Sequence, residues 1–97
     1  MIILGEAFCI SDSIEQLKSQ LSDIIEPDFG LLDELVTLDV LTDRELDDVQ
    51  SERTVYRRND ALLALLTSEE QCKKFLTALH RTQQQHVVNF IRENGGQ

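Results

Sequence analysis

The residues of this chain best suited to nucleophilic or metal chemistry are its two cysteines and two histidines. Their spacing argues against both uses. His80 and His86 stand six apart and fall on different predicted helices, so they form neither an i, i+4 pair nor an H-x-x-x-H zinc pattern. Cys72 and His80 share a predicted helix, but their separation along it is roughly 12 Å, too long for a thiolate–imidazole hydrogen bond. Cys72 lies on an apolar stripe and reads as a core position. His80, beside that stripe, reads as a surface or boundary residue. Cys9 and Cys72 lack metal-ligand spacing and are too few for a disulfide framework. Two reduced thiols are expected, with one Cys9–Cys72 bridge as the alternative.

Carboxylates are more numerous. Asp43, Glu45 and Asp47 alternate like the opening of a calcium loop, but the glycine position holds Asp48 and the closing position holds Thr54 instead of Glu. No P-loop, G-x-G-x-x-G or G-x-S-x-G motif occurs. Nothing suggests a shielded pocket that would raise one carboxyl for acid catalysis. The expectation is a non-enzyme with no catalytic residue, no metal and no cofactor.

The distribution of charge is the unusual feature. Residues 28–52 hold nine acids and one base, whereas residues 53–97 hold seven bases and four acids. The net charge of −9 argues against nucleic acid and against anionic membrane surfaces as partners. A local basic patch remains able to grip an acidic protein. A body with separated poles suits docking to a complementary protein better than chemistry on a small molecule.

The elements that carry these charges read as helices. An apolar content of 41% over 97 residues fits one ordinary globular domain with a modest core. We expect that domain to cover residues 1–97, with its core at about 12–94, a leading segment 1–10 and a tail 95–97. The apolar start of the chain is short, carries Glu6 and has no positive n-region, so it is a poor signal peptide. No stretch approaches the roughly 20 apolar residues of a membrane span. A soluble, cytoplasmic protein is expected.

No glycine or proline interrupts residues 31–94, which is hard to reconcile with a β domain. Apolar stripes predict six helical segments. The first runs from about Asp12 to Ile25, with Ile14, Leu17, Leu21 and Ile24 inward and Asp12 with Glu15 as a capping signal. The second runs from about Phe29 to Leu38, and the third from Asp43 to about Gln50 with Leu46 and Val49 inward. The fourth, from about Val55 to Leu66, buries Leu62, Leu63 and Leu66. The fifth carries Cys72, Phe75, Leu76 and Leu79 at i, i+3, i+4, i+7. The sixth carries Val87, Val88 and Ile91 and stops at Asn94-Gly95-Gly96. Capping boxes open the third (Thr42 to Glu45), the fifth (Ser68 to Gln71) and the sixth (Thr82 to Gln85). Helices with one apolar stripe each bury themselves only by packing on one another, so an all-α bundle is expected.

On such helices Asp33 and Glu34 point away from Leu31, Leu32 and Leu35, while Asp47 and Asp48 flank Leu46 and Val49. With Asp39 and Asp43 between, these six acids form the expected acidic face. Arg57 and Arg58 lie off the Leu62/Leu66 stripe as a positive pair that Lys18 can join. Any single charge here is explained by solvation. The segregated set is not, because self-repulsion destabilises a fold unless something compensates it. Arginine suits the positive pole because its planar fork grips carboxylates with two prongs.

Leu31-Leu32-Asp33-Glu34-Leu35 followed by Val40-Leu41-Thr42-Asp43-Arg44-Glu45 resembles the second and third helices of a caspase recruitment domain (CARD), nearest to those of inflammasome adaptors and receptors. Cys72-Lys73-Lys74-Phe75-Leu76-Thr77-Ala78-Leu79 with Thr82-Gln83-Gln84 resembles the family's fifth helix and its turn into the sixth. The resemblance runs from about Asp12 to Ile91. It implies a death fold, a bundle of six antiparallel helices in a Greek-key arrangement, with the first helix broken in two; a break near Ile10–Ser11 fits that. It also implies a domain that does no chemistry and binds other CARDs to build apoptotic or inflammatory assemblies. The family's commonest contact sets an acidic face of helices two and three against a basic face of helices one and four. That maps onto Asp33, Glu34, Asp39, Asp43, Asp47 and Asp48 on one side and onto Lys18, Arg57 and Arg58 on the other. The expected partner is another CARD-containing protein (a caspase, an adaptor or a receptor), with a second copy of the chain as competitor. The first segment is poorer in bases than the family pattern, so binding to a more basic partner CARD competes with self-assembly. A small acidic regulator or inhibitor of a basic protein is the alternative reading.

Overall fold

Without glycine or proline between residues 31 and 94, the chain must reverse direction there by side-chain caps and by non-glycine residues in left-handed conformation. The computed structural model describes residues 10–28 and 30–94. The leading residues 1–9 with Cys9, the start of the second predicted segment at Phe29, and the tail 95–97 lie outside the described residues. Among the described residues seven helices follow in order: α1 Ile10–Gln16, α2 Lys18–Ile24, α3 Leu31–Thr37, α4 Asp43–Gln50, α5 Val55–Ala64, α6 Glu69–Arg81 and α7 Gln85–Asn94. Among the described residues there is no strand.

The count exceeds the expected six because the first segment is two helices. A break falls at Leu17 (φ −97°, ψ 9°), while the expected one near Ile10–Ser11 borders residues 1–9, outside the described residues. Hydrogen bonds continue on both sides, from Leu17 N–H to Ser13 O at 3.0 Å and from Leu21 N–H to Leu17 O at 2.8 Å. The halves pack on different neighbours: α1 on α6 and α7, α2 on α5. One straight helix cannot turn its stripe toward both, and the reorientation at Leu17 resolves this. Asp12 is not the cap of this segment but sits in the first turn of α1. The N–H groups of Ile10 and Ser11 instead donate to Glu69 Oε2 and Oε1, each at 3.0 Å. A carboxylate from the start of α6 thus satisfies the free amides at the start of α1.

Two predicted boxes form in whole or in part. Thr42 Oγ1 accepts from Glu45 N–H at 3.1 Å while Glu45 Oε1 accepts from Thr42 N–H at 3.0 Å. Ser68 Oγ accepts from Gln71 N–H at 3.1 Å, and Gln71 Oε1 reaches one residue further, to Thr67 N–H at 3.0 Å. The third box is absent. Thr82 Oγ1 donates back to Ala78 O at 2.9 Å, and α7 begins only at Gln85. The reason is the turn that ends α6. Gln83 adopts φ 62°, its N–H donates to His80 O at 3.1 Å, and Gln84 N–H donates to Leu79 O at 2.8 Å. This is a Schellman motif, and it takes up the residues the box needed. The same motif ends α3, with Asp39 at φ 64°, its N–H on Val36 O at 3.0 Å and Val40 N–H on Leu35 O at 2.8 Å. Val40 and Leu35 are both buried and supply the motif's apolar contact.

The apolar stripes meet as expected. Leu21, Leu35, Leu62, Phe75 and Leu79 are fully buried, with Val49 and Ile91 from α4 and α7. Each contributes about 1.5–3 kcal/mol by leaving water. Cys72 is buried in the same core, as its stripe position implied. Ile24, Leu46 and Leu76 are only partly covered, while Ile25, Val40 and Leu41 beyond the helix ends are buried.

Two buried amides fasten the α2–α3 connection. Asn59 of α5 donates through Nδ2 to Ser22 O and Ile25 O, both at 2.8 Å, and so satisfies carbonyls at the end of α2. Gln84 accepts from Glu26 N–H and donates to Glu26 O, both at 2.9 Å. It grips one residue's backbone as a neighbouring strand would.

Candidate docking faces

The acidic face is assembled by α3, the turn after it, and α4, which touches α3. Asp33, one turn into α3, lines a small cleft with Asp28 and with Gln50 at the far end of α4. Asp43, Asp47 and Gln50 recur at i, i+4, i+7 and so share one side of α4. Asp39 sits exposed at the left-handed position of the intervening turn. Asp48 is exposed on the neighbouring side of α4, where its backbone oxygen accepts from Ser51 Oγ at 2.7 Å. Among the described residues Asp33, Asp39, Asp43, Asp47 and Asp48 take part in no ion pair. Glu34 differs. Its side chain is about 25% exposed and its Oε2 lies 2.6 Å from Arg81 Nη1, a contact that ties α3 to the end of α6.

The three predicted bases lie on α2 and α5, the most extensively packed helix pair. Lys18 Nζ is 3.5 Å from Asp60 Oδ1. Arg58 Nη1 is 3.1 Å from Asp28 Oδ2, and its Nε donates to Glu52 O at 3.1 Å. Arg57 is exposed and in no ion pair among the described residues; it lines a shallow cleft with Glu52, Tyr56 and Asp60. Two members of the predicted basic set are therefore already matched to acids of the same molecule. Along the chain Asp28 and Glu52 belong to the acidic run, but in space they turn back to the bases.

Among the described residues Val55 and Tyr56 are the exposed large apolar residues, at 45% and 44%. They open α5 directly beside Arg57, and the apolar stripes do not single them out. The available signal is Thr54, whose Oγ1 accepts from Arg57 N–H at 3.1 Å and so makes Val55 and Tyr56 the first turn of the helix, ahead of its buried stripe.

The histidines sit on separate helices. His80 Nδ1 lies 2.9 Å from Gln85 Oε1, and His86 Nε2 lies 3.2 Å from Ile24 O. Among the described residues no three His, Cys, Asp or Glu side chains converge as metal ligands. No described helix is long and apolar enough to cross a membrane. The surface offers open clefts and charged helix faces, which suit contact with another protein.

The family model for the caspase recruitment domain matches residues 10–94, nearly the whole chain. The chain belongs to the CARD family. It is an all-α protein-interaction module of the death-fold superfamily; CARDs form a non-catalytic family whose members typically bind other CARD-containing proteins. No curated protein and no solved structure gives a significant match.

Proposed function

We propose that this CARD is a cytoplasmic signalling module that docks its α3–α4 face onto the basic face of another CARD and so helps assemble an apoptotic or inflammatory complex. One observation carries this reading. Among the described residues, five carboxylates of α3, the turn after it and α4 stand exposed without ion pairs, whereas Asp28, Asp60 and Glu34 are matched internally. A self-repelling cluster left open destabilises the free protein and is relieved when a cationic surface covers it. The module carries out no bond-making step. It raises the effective concentration of whatever is attached to it and to its partner.

Charge reversal tests this. Asp47→Lys with Asp48→Lys should weaken binding to a basic CARD by at least about 100-fold, because it replaces attraction with repulsion across the contact. Helical content should not change, since both side chains are exposed. Binding should also weaken as sodium chloride rises from about 50 to about 500 mM, because rim charges are screened. Unchanged affinity in the reversed variant refutes the assignment. Equal affinity for an unrelated basic protein favours a general acidic regulator instead.

A further inference from the structure

We infer that this chain docks through its acidic face and takes as partner a CARD with a more basic surface in preference to a second copy of itself, because two bases of its own positive pole are already paired within the molecule. The inference rests on the α3–α4 face being the docking face. Four bases lie on α2, on α5 or just before it in the chain: Lys18, Arg53, Arg57 and Arg58. Lys18 is paired with Asp60 and Arg58 with Asp28, while Glu52 lines the cleft of Arg57. Two of the four bases are therefore matched, and among the described residues Arg53 and Arg57 are in no ion pair, whereas the opposite pole holds five unmatched carboxylates. Arg58 is held most firmly, by a carboxylate and a carbonyl together, with only 26% of its side chain exposed.

For a second copy to reach Arg58 and Lys18, its carboxylates must displace Asp28 and Asp60. That exchanges one ion pair for another and still carries the entropy loss of association. A foreign basic face meets no such exchange at Asp33, Asp39, Asp43, Asp47 and Asp48. The chain therefore joins a partner through its acidic end and offers the next copy only Arg53 and Arg57 unpaired. It lengthens a CARD stack poorly.

Releasing the bases tests this. Asp28→Asn with Asp60→Asn keeps side-chain size and touches only surface pairs, so the fold is retained; circular dichroism checks that. In sedimentation velocity at low salt the unaltered chain should remain monomeric. The double variant should associate head to tail about tenfold more tightly, since each exposed pair accounts for up to about a fivefold change. Adding Asp47→Lys and Asp48→Lys to the same chain should abolish that association. A companion variant, Lys18→Gln with Arg58→Gln, should bind a basic CARD as the unaltered chain does. A double variant as monomeric as the parent, with Asp47 and Asp48 still required for the basic CARD, overturns the inference and leaves the proposed function standing. Association that survives the Asp47 and Asp48 reversals overturns the acidic-face reading itself. Self-association of the unaltered chain that Arg58→Glu abolishes also overturns the inference.

Discussion

Asn59 is the best single test of how the α2–α5 pair is held. Its side chain is fully buried and its two amide hydrogens go to Ser22 O and Ile25 O at 2.8 Å. Those carbonyls belong to the last turn of α2 and the residue after it, where no further helical amide is present to meet them. Removing the donor leaves two buried acceptors unsatisfied, at about 1–3 kcal/mol each. The Asn59 Oδ1 atom is itself buried without a hydrogen-bond partner, so deleting the whole amide recovers part of that loss. Asn59→Leu, which keeps the branched shape with some added bulk and removes both donor and orphan acceptor, should cost about 2 kcal/mol. Asn59→Ala adds a cavity and should cost about 3 kcal/mol. Asn59→Asp at neutral pH should be worst, because it sets a charged acceptor against two other acceptors in the core. A domain of this size has about 5–15 kcal/mol of stability in total, so these are large fractions of it. Urea unfolding should show the alanine midpoint falling by about 2 M, at a slope of about 1–2 kcal/mol per molar. An aspartate variant as stable as the parent would refute the role of Asn59 in closing the end of α2.

Two further substitutions probe the turns. Gly30 adopts φ 94° immediately before α3, and a methyl group there would meet nothing closer than Thr82 Cγ2 at 3.9 Å. Gly30→Ala should therefore destabilise through the backbone alone, by about 1–2 kcal/mol, read as a drop in Tm of roughly 4–15 °C. Gln83→Gly should do the opposite, since Gln83 is exposed and held at φ 62° in a Schellman turn. A gain of about 0.5–1 kcal/mol, or a rise in Tm of roughly 2–8 °C, is expected by thermal melting.

Local features were legible in the sequence. The stripe through Cys72, Phe75 and Leu79 is local in register, and so is the Thr42–Glu45 box, because each depends on neighbours three or four residues away. What escaped depends on the path of the chain. The Leu17 break has no glycine or proline to mark it, because it arises from two helices needing different neighbours. The carboxylate that caps α1 comes from Glu69, far along the chain. Thr82 met the letter of a capping box, yet a left-handed turn had a stronger claim on the same residues. The candidate faces divide the same way. Asp43 and Asp47 lie near one another along one helix, so a run of acids exposes them. The weakening of the other pole depends on Asp28 meeting Arg58 and Asp60 meeting Lys18, which no linear count of charge reveals.

The grip of Gln84 on Glu26 has a consequence for Arg58. Glu26 stands two residues before Asp28, and Pro27 between them is buried. The backbone leading to that carboxylate is thus pinned at its root before any guest arrives. A competitor that pulls the guanidinium away liberates little motion in the segment left behind, so separation brings almost no entropic reward. An ordinary surface ion pair opens and closes with the wandering of two long arms. Here one arm is short and anchored, and the guanidinium is kept at home by architecture more than by charge.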